Sequence, residues 1–419
     1  MRKQVLSALA FCSALGIAQA QTDVTKEYLV NPSFETLKAA DGTTDVAVKT
    51  KLESGLYGWE ISKLLDNQFS NYQVESEASG SSTGIPANGI IKPSQGEFYY
   101  FNRQGWGNVD GSELKTSTSK NLPIGTYYAV IDYKAADFSN NNDASKSGTT
   151  IGIKAENATN ELLGENTAVR RAYSTLTSNS DPYMVNAAWN ELGTMFTVTE
   201  PTTVTISLVQ NMKNSGRSDI AWDNLRLYQI ENVSENKPMD VSGLITTSNY
   251  YALGGWNIEG GNTFQVNTWS TEGEKDGSGM TTPFIQDHVG KENKAANATI
   301  SHTVNHLIPG IYEVSGLIRV LNEAGGDTPS GATLYANEGS TNACNGNPCT
   351  NGVYGTYTVK GTVGTDGVLT FGIKVANANF NWVSFKNFKL QYLGAASIEQ
   401  LQATLKEKIE EAKAYVENC

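Results

Sequence analysis

The sequence predicts an all-β protein of two tandem antiparallel β-sandwich domains, followed by a C-terminal α-helix. Short segments rich in β-branched and aromatic residues, such as 126–133 and 202–209, alternate in polarity and are separated by clusters of Gly, Pro, Asn and Asp. No helical periodicity lies between consecutive strands, which argues against parallel βαβ units. Two antiparallel sheets packed face to face are therefore expected in each domain.

The tandem arrangement follows from an internal repeat. Residues 121–135, NLPIGTYYAVIDYKA, match residues 306–320, HLIPGIYEVSGLIRV. AWDNLRLYQI at 221–230 returns as SFKNFKLQYL at 384–393. The order of these segments is the same in both copies. Because the unit is far longer than 50 residues, the pattern indicates a duplicated domain rather than a solenoid.

The second copy is shorter than the first, and loops absorb such differences more readily than strands do. The polar segment 231–240 contains a proline and separates the copies. We therefore expect a first sandwich over 21–233 and a second over 238–394.

The last segment, 395–419, has helical rather than strand periodicity. Ser397 and Gln400 form a capping box before an apolar stripe. The stripe consists of Ile398, Leu401, Leu405, Ile409, Ala412 and Val416. This helix either packs on the second sandwich or begins a further helical module, and we favour the second alternative.

The first twenty residues predict a secretory signal peptide. Arg2 and Lys3 precede an apolar stretch, and the small residues around Ala20 fit a cleavage site before Gln21. No later run reaches the roughly 18 apolar residues of a membrane span. We therefore expect an exported chain that is periplasmic, at the cell surface or extracellular.

The net charge limits the classes of binding partner, and the cysteines indicate a disulfide. The net charge of −12 argues against nucleic acid and against insertion into anionic membranes. Cys344 and Cys349 bracket a turn-forming segment, which in an oxidising compartment favours a disulfide, with two free thiols as the alternative. Cys419 has no evident partner.

Few residues indicate catalysis. His302 and His306 are spaced to share a strand face, but no third zinc ligand is evident. The GSSTG segment at 80–84 lacks the strand and helix that would surround a nucleophile elbow. Carboxylate pairs for glycoside hydrolysis cannot be assigned, because their separation in space defines them.

Aromatic and hydrogen-bonding residues suggest a ligand surface. In segment 96–108, strand alternation places Phe98 and Tyr100 on one side and Tyr99 and Phe101 on the other. Flat aromatic rings with polar neighbours suit sugars, and a core role for each tryptophan is the alternative. The candidates are Tyr99, Asn102, Arg103, Trp106, Trp189, Trp269 and Asn267. Trp59 and Trp256 follow Gly in both copies, which indicates scaffold.

Three segments of the first copy match the pattern of a known domain family. YLVNPSFET at 28–36, Gly-Trp at 58–59 and AWDNLRLY at 221–228 resemble the galactose-binding-like jelly rolls among bacterial carbohydrate-binding modules. The resemblance extends to both halves and implies a jelly-roll topology for each. It specifies the fold better than the ligand, because the same fold carries adhesion and enzyme-appended modules.

The resemblance also implies a structural Ca²⁺ in the first domain. In such modules the opening-strand Glu and the closing-strand Asp hold the ion, and Glu35 and Asp223 fall on those positions. Asp223 shares parity with the leucines that follow it, which predicts an inward carboxylate. The alternative is that Asp223 caps a turn or pairs with Arg226 or a nearby Lys. Lys386 replaces it in the second copy, so no metal is expected there.

Together these features predict an exported, non-catalytic protein that binds polysaccharide or glycoconjugate through aromatic stacking. One alternative is an adhesion protein whose sandwiches are spacers. Another is the accessory part of a glycoside hydrolase, or a jelly-roll hydrolase, with carboxylates roughly 5–9.5 Å apart. The C-terminal helix is expected to contact a further domain or partner.

Overall fold

The computed structural model describes most of both sandwiches. The described residues are 20–52, 54–62, 71–77, 92–104, 109–138, 150–169, 189–212, 217–246, 255–261, 264–267, 284–326, 328–344, 352–400, 402, 405–406, 409–410 and 413. The segment predicted as a signal peptide lies outside them, apart from Ala20.

The all-β, two-sandwich prediction is confirmed. The first domain contains a short helix α1 (Thr25–Tyr28) and twelve strands: β1 (Gln21–Asp23), β2 (Gly55–Leu56), β3 (Trp59–Ser62), β4 (Asn71–Ser76), β5 (Phe98–Gln104), β6 (Val109–Ser117), β7 (Gly125–Phe138), β8 (Thr150–Asn157), β9 (Leu162–Val169), β10 (Asn190–Val198), β11 (Val204–Met212) and β12 (Arg217–Ile230). One sheet has the order β10-β7-β12-β5-β4, with β1 on β12, and the other has the order β2-β3-β6-β11-β8-β9.

The second domain repeats this plan. It begins with β13 (Met239–Asp240) and a 3-10 turn (Ser242–Leu244). The strands that follow are β14 (Trp256–Gly260), β15 (Gln265–Asn267), β16 (Phe284–His288), β17 (Ala298–Val304), β18 (Gly310–Leu321), β19 (Ala332–Ala336), β20 (Gly339–Asn342), β21 (Gly355–Val363), β22 (Leu369–Val375) and β23 (Trp382–Tyr392). Its sheets have the orders β15-β16-β23-β18-β21, with β13 on β23, and β14-β17-β22-β19-β20.

Each sandwich encloses an aromatic core. Trp59 is buried and stacks on Phe34, with ring centroids 4.8 Å apart, while its indole N–H donates to the carbonyl of Asn31. Trp256 is buried in the second core, 5.4 Å from the ring of Phe385. Both tryptophans therefore fill the sandwich interior, where neither can stack on a ligand.

The repeated closing strand carries the same β-bulge in both domains. Asn224 in β12 has φ 54° and Asn387 in β23 has φ 53°, which is the left-handed region. At each asparagine the register with the neighbouring strand shifts. Asn tolerates this conformation better than other residues with a side chain. The bulge therefore explains why both copies have Asn at this position.

The bulge corrects the parity predicted for Asp223. Trp222 and Leu225 both face the first core, although three positions separate them, because Asn224 is an extra residue in the strand. Asp223 lies opposite Asp132 and points to the other side of the sheet, away from this core. It is nonetheless fully buried. The prediction of a buried carboxylate was right, and the predicted direction was wrong.

The two sandwiches pack directly against each other. Tyr128 and Met195 project from the outer side of the β10-β7 pair and join the hydrophobic cluster of the second domain. The hydroxyl of Tyr312 lies 3.6 Å from the sulfur of Met195. An ideal Cβ on Gly243, in the 3-10 turn, would lie 2.6 Å from the Tyr128 hydroxyl. Only glycine fits this approach without a shift.

The C-terminal segment is helical from Ile398 onward, where it is described. Ser397 and Gln400 form the predicted capping box: the Ser397 N–H donates to Gln400 Oε1 at 2.7 Å, and the Gln400 N–H donates to Ser397 Oγ at 3.2 Å. The side chains of Ile398, Leu405 and Ile409 are 72%, 60% and 45% exposed. The described part of the apolar stripe is therefore not covered by the second sandwich.

Candidate functional site

The candidate site is the outer side of the sheet β10-β7-β12-β5-β4, at the end away from the second domain. We call it face one. Its side chains alternate with those of the first core along each strand, and they are Gln73, Glu75, Tyr99, Phe101, Arg103, Asp132 and Lys134. All of them are buried, although they lie on the outer side of the sandwich. A polar, aromatic and charged layer thus covers this sheet.

Trp189 lies on face one just before β10 and is half-buried. Its indole N–H donates to the carbonyl of Lys92 at 3.0 Å. The ammonium of Lys134 lies 5.4 Å from the ring centroid, and the Tyr99 ring approaches edge-on at 6.2 Å. A hydrogen bond, a cation–π contact and an aromatic contact therefore fix the indole in one orientation.

Tyr99 is held by a buried carboxylate. Its hydroxyl donates to Glu75 Oε2 at 2.9 Å, and the amide of Gln73 donates to the other oxygen of Glu75. Burial raises the pKa of Glu75 above its ordinary value, against the lowering by these hydrogen bonds. Burial, and then the charge of Glu75, raise the pKa of Tyr99, so its hydroxyl remains a donor.

Asn102 and Arg103 point to opposite sides of β5. Asn102 points into the sandwich and donates to Gln210 Oε1 of the facing sheet at 2.8 Å, so it does not share face one with the other candidates. Arg103 lies on face one, with its guanidinium carbon 5.7 Å from the Phe101 ring centroid. Of the predicted ligand residues, Tyr99 and Trp189 are in contact, and Arg103 shares their side of the sheet further along β5.

The remaining predicted site residues do not lie on face one among the described residues. Trp106, Trp269 and Cys349 lie outside the described residues. Asn267 ends β15, opposite Phe284 of β16. Cys344 is disulfide-bonded.

Glu35 and Asp223 both hold the segment that leads into β5. Asp223 Oδ2 accepts the N–H groups of Ser94 and Gln95 at 2.8 and 3.0 Å. The carboxylate of Glu35 accepts the N–H groups of Glu97 and Phe98, each at 3.1 Å. The two carboxylates therefore anchor the backbone from which Tyr99 projects.

The surroundings of Asp223 disfavour its charged form. Its second oxygen, Oδ1, is buried and has no hydrogen-bond donor among the described residues. Burial raises the pKa of Asp223 to about 7, despite the hydrogen bonds from Gln95 and Ser94. Arg226 does not pair with it, because the guanidinium binds Asp132 at 2.5 Å and Glu191 at 2.9 Å. The alternative of a backbone cap describes Asp223 best.

This arrangement does not suit a shared calcium site. Ca²⁺ needs six to eight oxygen ligands, whereas Glu35 and Asp223 face backbone N–H donors. Among the described residues, no three His, Cys, Asp or Glu side chains come together as metal ligands. No part of the function proposed below depends on the ion, and calcium binding stays a prediction.

The histidines of the second domain have separate surroundings. His302 is buried, its Nδ1 lies 2.9 Å from the carbonyl of Gly255, and burial lowers its pKa. His306 follows β17 and lies 3.6 Å from Glu165 of the first domain. The GSSTG segment is outside the described part of the chain.

Sequence reasoning missed a second aromatic cluster, on the outer side of the sheet β15-β16-β23-β18-β21. We call this side face two. The guanidinium carbon of Arg319 lies 4.3 Å from the Trp382 ring centroid, and the ring of His288 stacks on Trp382 at 4.4 Å. The repeat carried the signal, because Arg319 occupies the position of Lys134, which contacts Trp189.

Comparisons with known proteins found similar solved structures but no family. No family model and no curated protein matches the chain. The CBM22-1–CBM22-2 tandem domain of Xyn10C from Paenibacillus barcinonensis is similar over 90% of this chain and 99% of that chain, at 10% identity and a TM-score of 0.27. TmCBM61, in complex with β-1,4-galactotriose, is similar over 48% and 97%, at 14% identity and a TM-score of 0.29.

A Stig cyclase from Fischerella sp. TAU is also similar, over 48% of this chain and 97% of that chain, at 13% identity and a TM-score of 0.31. Binding modules and an enzyme thus occur together among the similar structures. At these identities and TM-scores, neither a ligand nor an activity follows for this chain. Within the described residues, no helix has the length and apolar character needed to span a bilayer.

Proposed function

We propose that this protein binds carbohydrate without catalysing a reaction, and that face one of the first sandwich is the binding surface. The supporting observation is the half-buried Trp189, which is held by Lys92, Lys134 and Tyr99. An indole fixed in one orientation presents apolar area to a sugar ring at a small entropic cost.

The polar groups behind the indole hold it in place. Arg103 and Lys134 are buried and have partners of their own, and the buried carboxylate of Glu75 is engaged by Tyr99. The half-buried indole is therefore the part of face one that a sugar ring would meet. Three buried acidic groups on this side are already engaged: Glu75 by Tyr99, Asp132 by Arg226, and Asp223 by the N–H groups of Ser94 and Gln95. Their contacts favour a positioning role over general acid or base chemistry.

We infer that the protein acts outside the cytoplasm. Two observations support this inference: the signal segment in the sequence and the disulfide-bonded Cys344. Stable disulfides are typical of oxidising compartments.

A panel of polysaccharides, measured against the mature chain by affinity electrophoresis and calorimetry, tests the proposal. Trp189→Ala should weaken binding at least tenfold. Tyr57→Ala removes a ring that is 39% exposed in the turn between β2 and β3, at the other sheet, and should leave binding unchanged. If no polysaccharide binds, the result favours the alternative of an adhesion protein whose sandwiches are spacers. If both variants bind as the unmodified chain does, the site is elsewhere.

A further inference from the structure

The indole of Trp189 is held between two stretches of backbone. Trp189 immediately precedes β10, which begins at Asn190. Its hydrogen-bond acceptor, the carbonyl of Lys92, belongs to residues 92–97, which lead into β5 and which we call the entry segment. Pro93 follows Lys92 and has a fixed φ, which limits the movement of that carbonyl relative to the rest of the segment. The orientation of the indole therefore depends on the relative position of β10 and the entry segment.

A chain of polar contacts joins β10 to the entry segment. Asp132 of β7 is at its centre: Oδ1 accepts the guanidinium of Arg226 at 2.5 Å, and Oδ2 accepts the hydroxyl of Ser94, in the entry segment, at 2.8 Å. The same guanidinium donates to Glu191 of β10 at 2.9 Å. The side chains of Arg226 and Asp132 are 22% and 10% exposed, so water screens this pair weakly. Arg226 thus links the two stretches of backbone through its two carboxylate partners.

Arg226 also compensates two like charges. Glu191 and Asp132 lie directly opposite each other in the register of β10 and β7. Like charges in this position destabilise a strand pair. Burial raises the pKa of Glu191, the charge of Arg226 opposes this increase, and the charge of Asp132 adds to it. Loss of the guanidinium would leave the two carboxylates without a shared cation, and their repulsion would displace the start of β10 from β7.

The second domain supports the same part of β10. The amide of Asn166, in β9, donates to the carbonyl of Gly193 in β10 at 2.9 Å and to the carbonyl of Leu244 in the 3-10 turn at 3.1 Å. An ideal Cβ on Gly243, in this turn, would lie 3.2 Å from the Cβ of Glu191. The turn therefore packs against β10 beside the carboxylate that binds the guanidinium.

We propose that Arg226 is a positioning residue for the Trp189 indole. It holds β10 and the entry segment together, and the turn of the second domain supports this arrangement. The proposal rests on the proposed carbohydrate-binding function and adds a residue that maintains the binding surface from behind. Because the turn belongs to the second sandwich, the carbohydrate affinity of face one then depends on both domains.

The resonance of the Trp189 indole N–H reports this positioning directly. It is observed by NMR in the mature full chain labelled with ¹⁵N-tryptophan, and Trp189→Phe assigns it. Arg226→Gln should shift the proton upfield and speed its exchange with water at least fivefold, because the hydrogen bond to the Lys92 carbonyl loosens. Arg226→Lys keeps the charge and should restore part of the protection. The Trp59 indole, which donates to a carbonyl in the core, should keep its resonance.

Two further variants and a matched control extend this measurement. Ser94→Ala removes one hydroxyl at the other end of the chain of contacts and should act in the same direction as Arg226→Gln. Gly243→Ala tests the support from the second domain and should do so as well. Lys154→Gln is the control: it breaks an ion pair on the other sheet, with Glu113 at 2.7 Å, whose side chains are 27% and 8% exposed. It should leave the Trp189 resonance in place. Thermal midpoints establish that each variant folds.

Binding is measured in parallel, with xylan, galactan and dextran as neutral probes. For a probe whose binding requires Trp189, Arg226→Gln should weaken the affinity at least threefold. Lys154→Gln should change that affinity less than twofold, because its ion pair has no contact with face one.

An unmoved Trp189 resonance in Arg226→Gln would overturn the proposal. So would equal shifts of Trp189 and Trp59, which would indicate a general loosening of the fold, or an unchanged affinity for a probe that requires Trp189. An unmoved resonance in Gly243→Ala would refute the contribution of the second domain. If none of the probes binds, the proposed function fails, whereas the Trp189 resonance still decides whether Arg226 orients the indole.

Discussion

The duplicated bulge allows a stability prediction with an internal control. Asn387 has φ 53° and an exposed side chain, so its value to the fold lies in the backbone conformation. Placing Ala in the left-handed region should cost about 1 kcal/mol more than Asn, because Ala has no polar side chain to support it. Glycine adopts this region freely, so Asn387→Gly should stay within ~0.5 kcal/mol of the unmodified chain.

Asn224 has the same conformation and one more interaction. Its amide donates to Asp132 Oδ2 at 2.9 Å. A hydrogen bond to a charged group contributes about 2 kcal/mol. Asn224→Ala should therefore cost ~3 kcal/mol and Asn224→Gly ~2 kcal/mol, which is the hydrogen bond alone. The difference between the Ala and Gly variants should be the same at both sites.

Urea unfolding, followed by tryptophan fluorescence, measures the stability of these four variants. The change in stability is the shift in the unfolding midpoint at a constant m value. Lys389→Ala, at an exposed position of the same strand, is the control and should change little. If Asn387→Gly loses as much stability as Asn387→Ala, the left-handed conformation is not the reason for the asparagine, and the explanation of the repeat fails.

Three further predictions concern stability. Burial raises the pKa of Asp223 to about 7, so its contribution to the free energy of unfolding is complete at low pH and is lost as the pH rises through 7. With a chelator present, Asp223→Asn should remove about 2–3 kcal/mol of the fall in unfolding free energy between pH 5 and pH 8. An unchanged dependence of the unfolding free energy on pH would contradict this. Added Ca²⁺ tests the ion predicted from the sequence: a rise in the thermal midpoint that Asp223→Asn abolishes would establish the calcium site, and an unchanged midpoint would leave Asp223 as a backbone cap alone. Gly243→Ala should cost about 1–3 kcal/mol by pressing on Tyr128, while Gly261→Ala, whose Cβ would lie 3.6 Å from Ala296, should be neutral by the same melting assay.

Strand alternation predicted the fold and part of the site, and it failed where the backbone departs from a regular strand. Tyr99 and Phe101 do share one side of β5, as their spacing predicts. The same rule misplaced Asp223, because Asn224 adds a residue to the strand and reverses the parity. Asn at the same place in both copies was the available signal, but its left-handed backbone becomes evident only in the structure.

Residues that meet across strands were harder to predict. Trp189 precedes β10, and its contacts with Tyr99 and Lys134 depend on the sheet order β10-β7-β12-β5. Trp382 was not singled out from the sequence, because its importance depends on Arg319 and the register of β18 with β23. Such contacts are set by topology, which local pattern does not specify.

The most direct test of the account is hydrogen–deuterium exchange of the mature chain with and without a polysaccharide that it binds. Bound ligand should slow amide exchange in β5 and around Trp189, and it should leave β2 and β3 on the opposite sheet unchanged. Protection confined to β2 and β3, or to the C-terminal helix, would contradict the assignment of face one as the carbohydrate-binding surface.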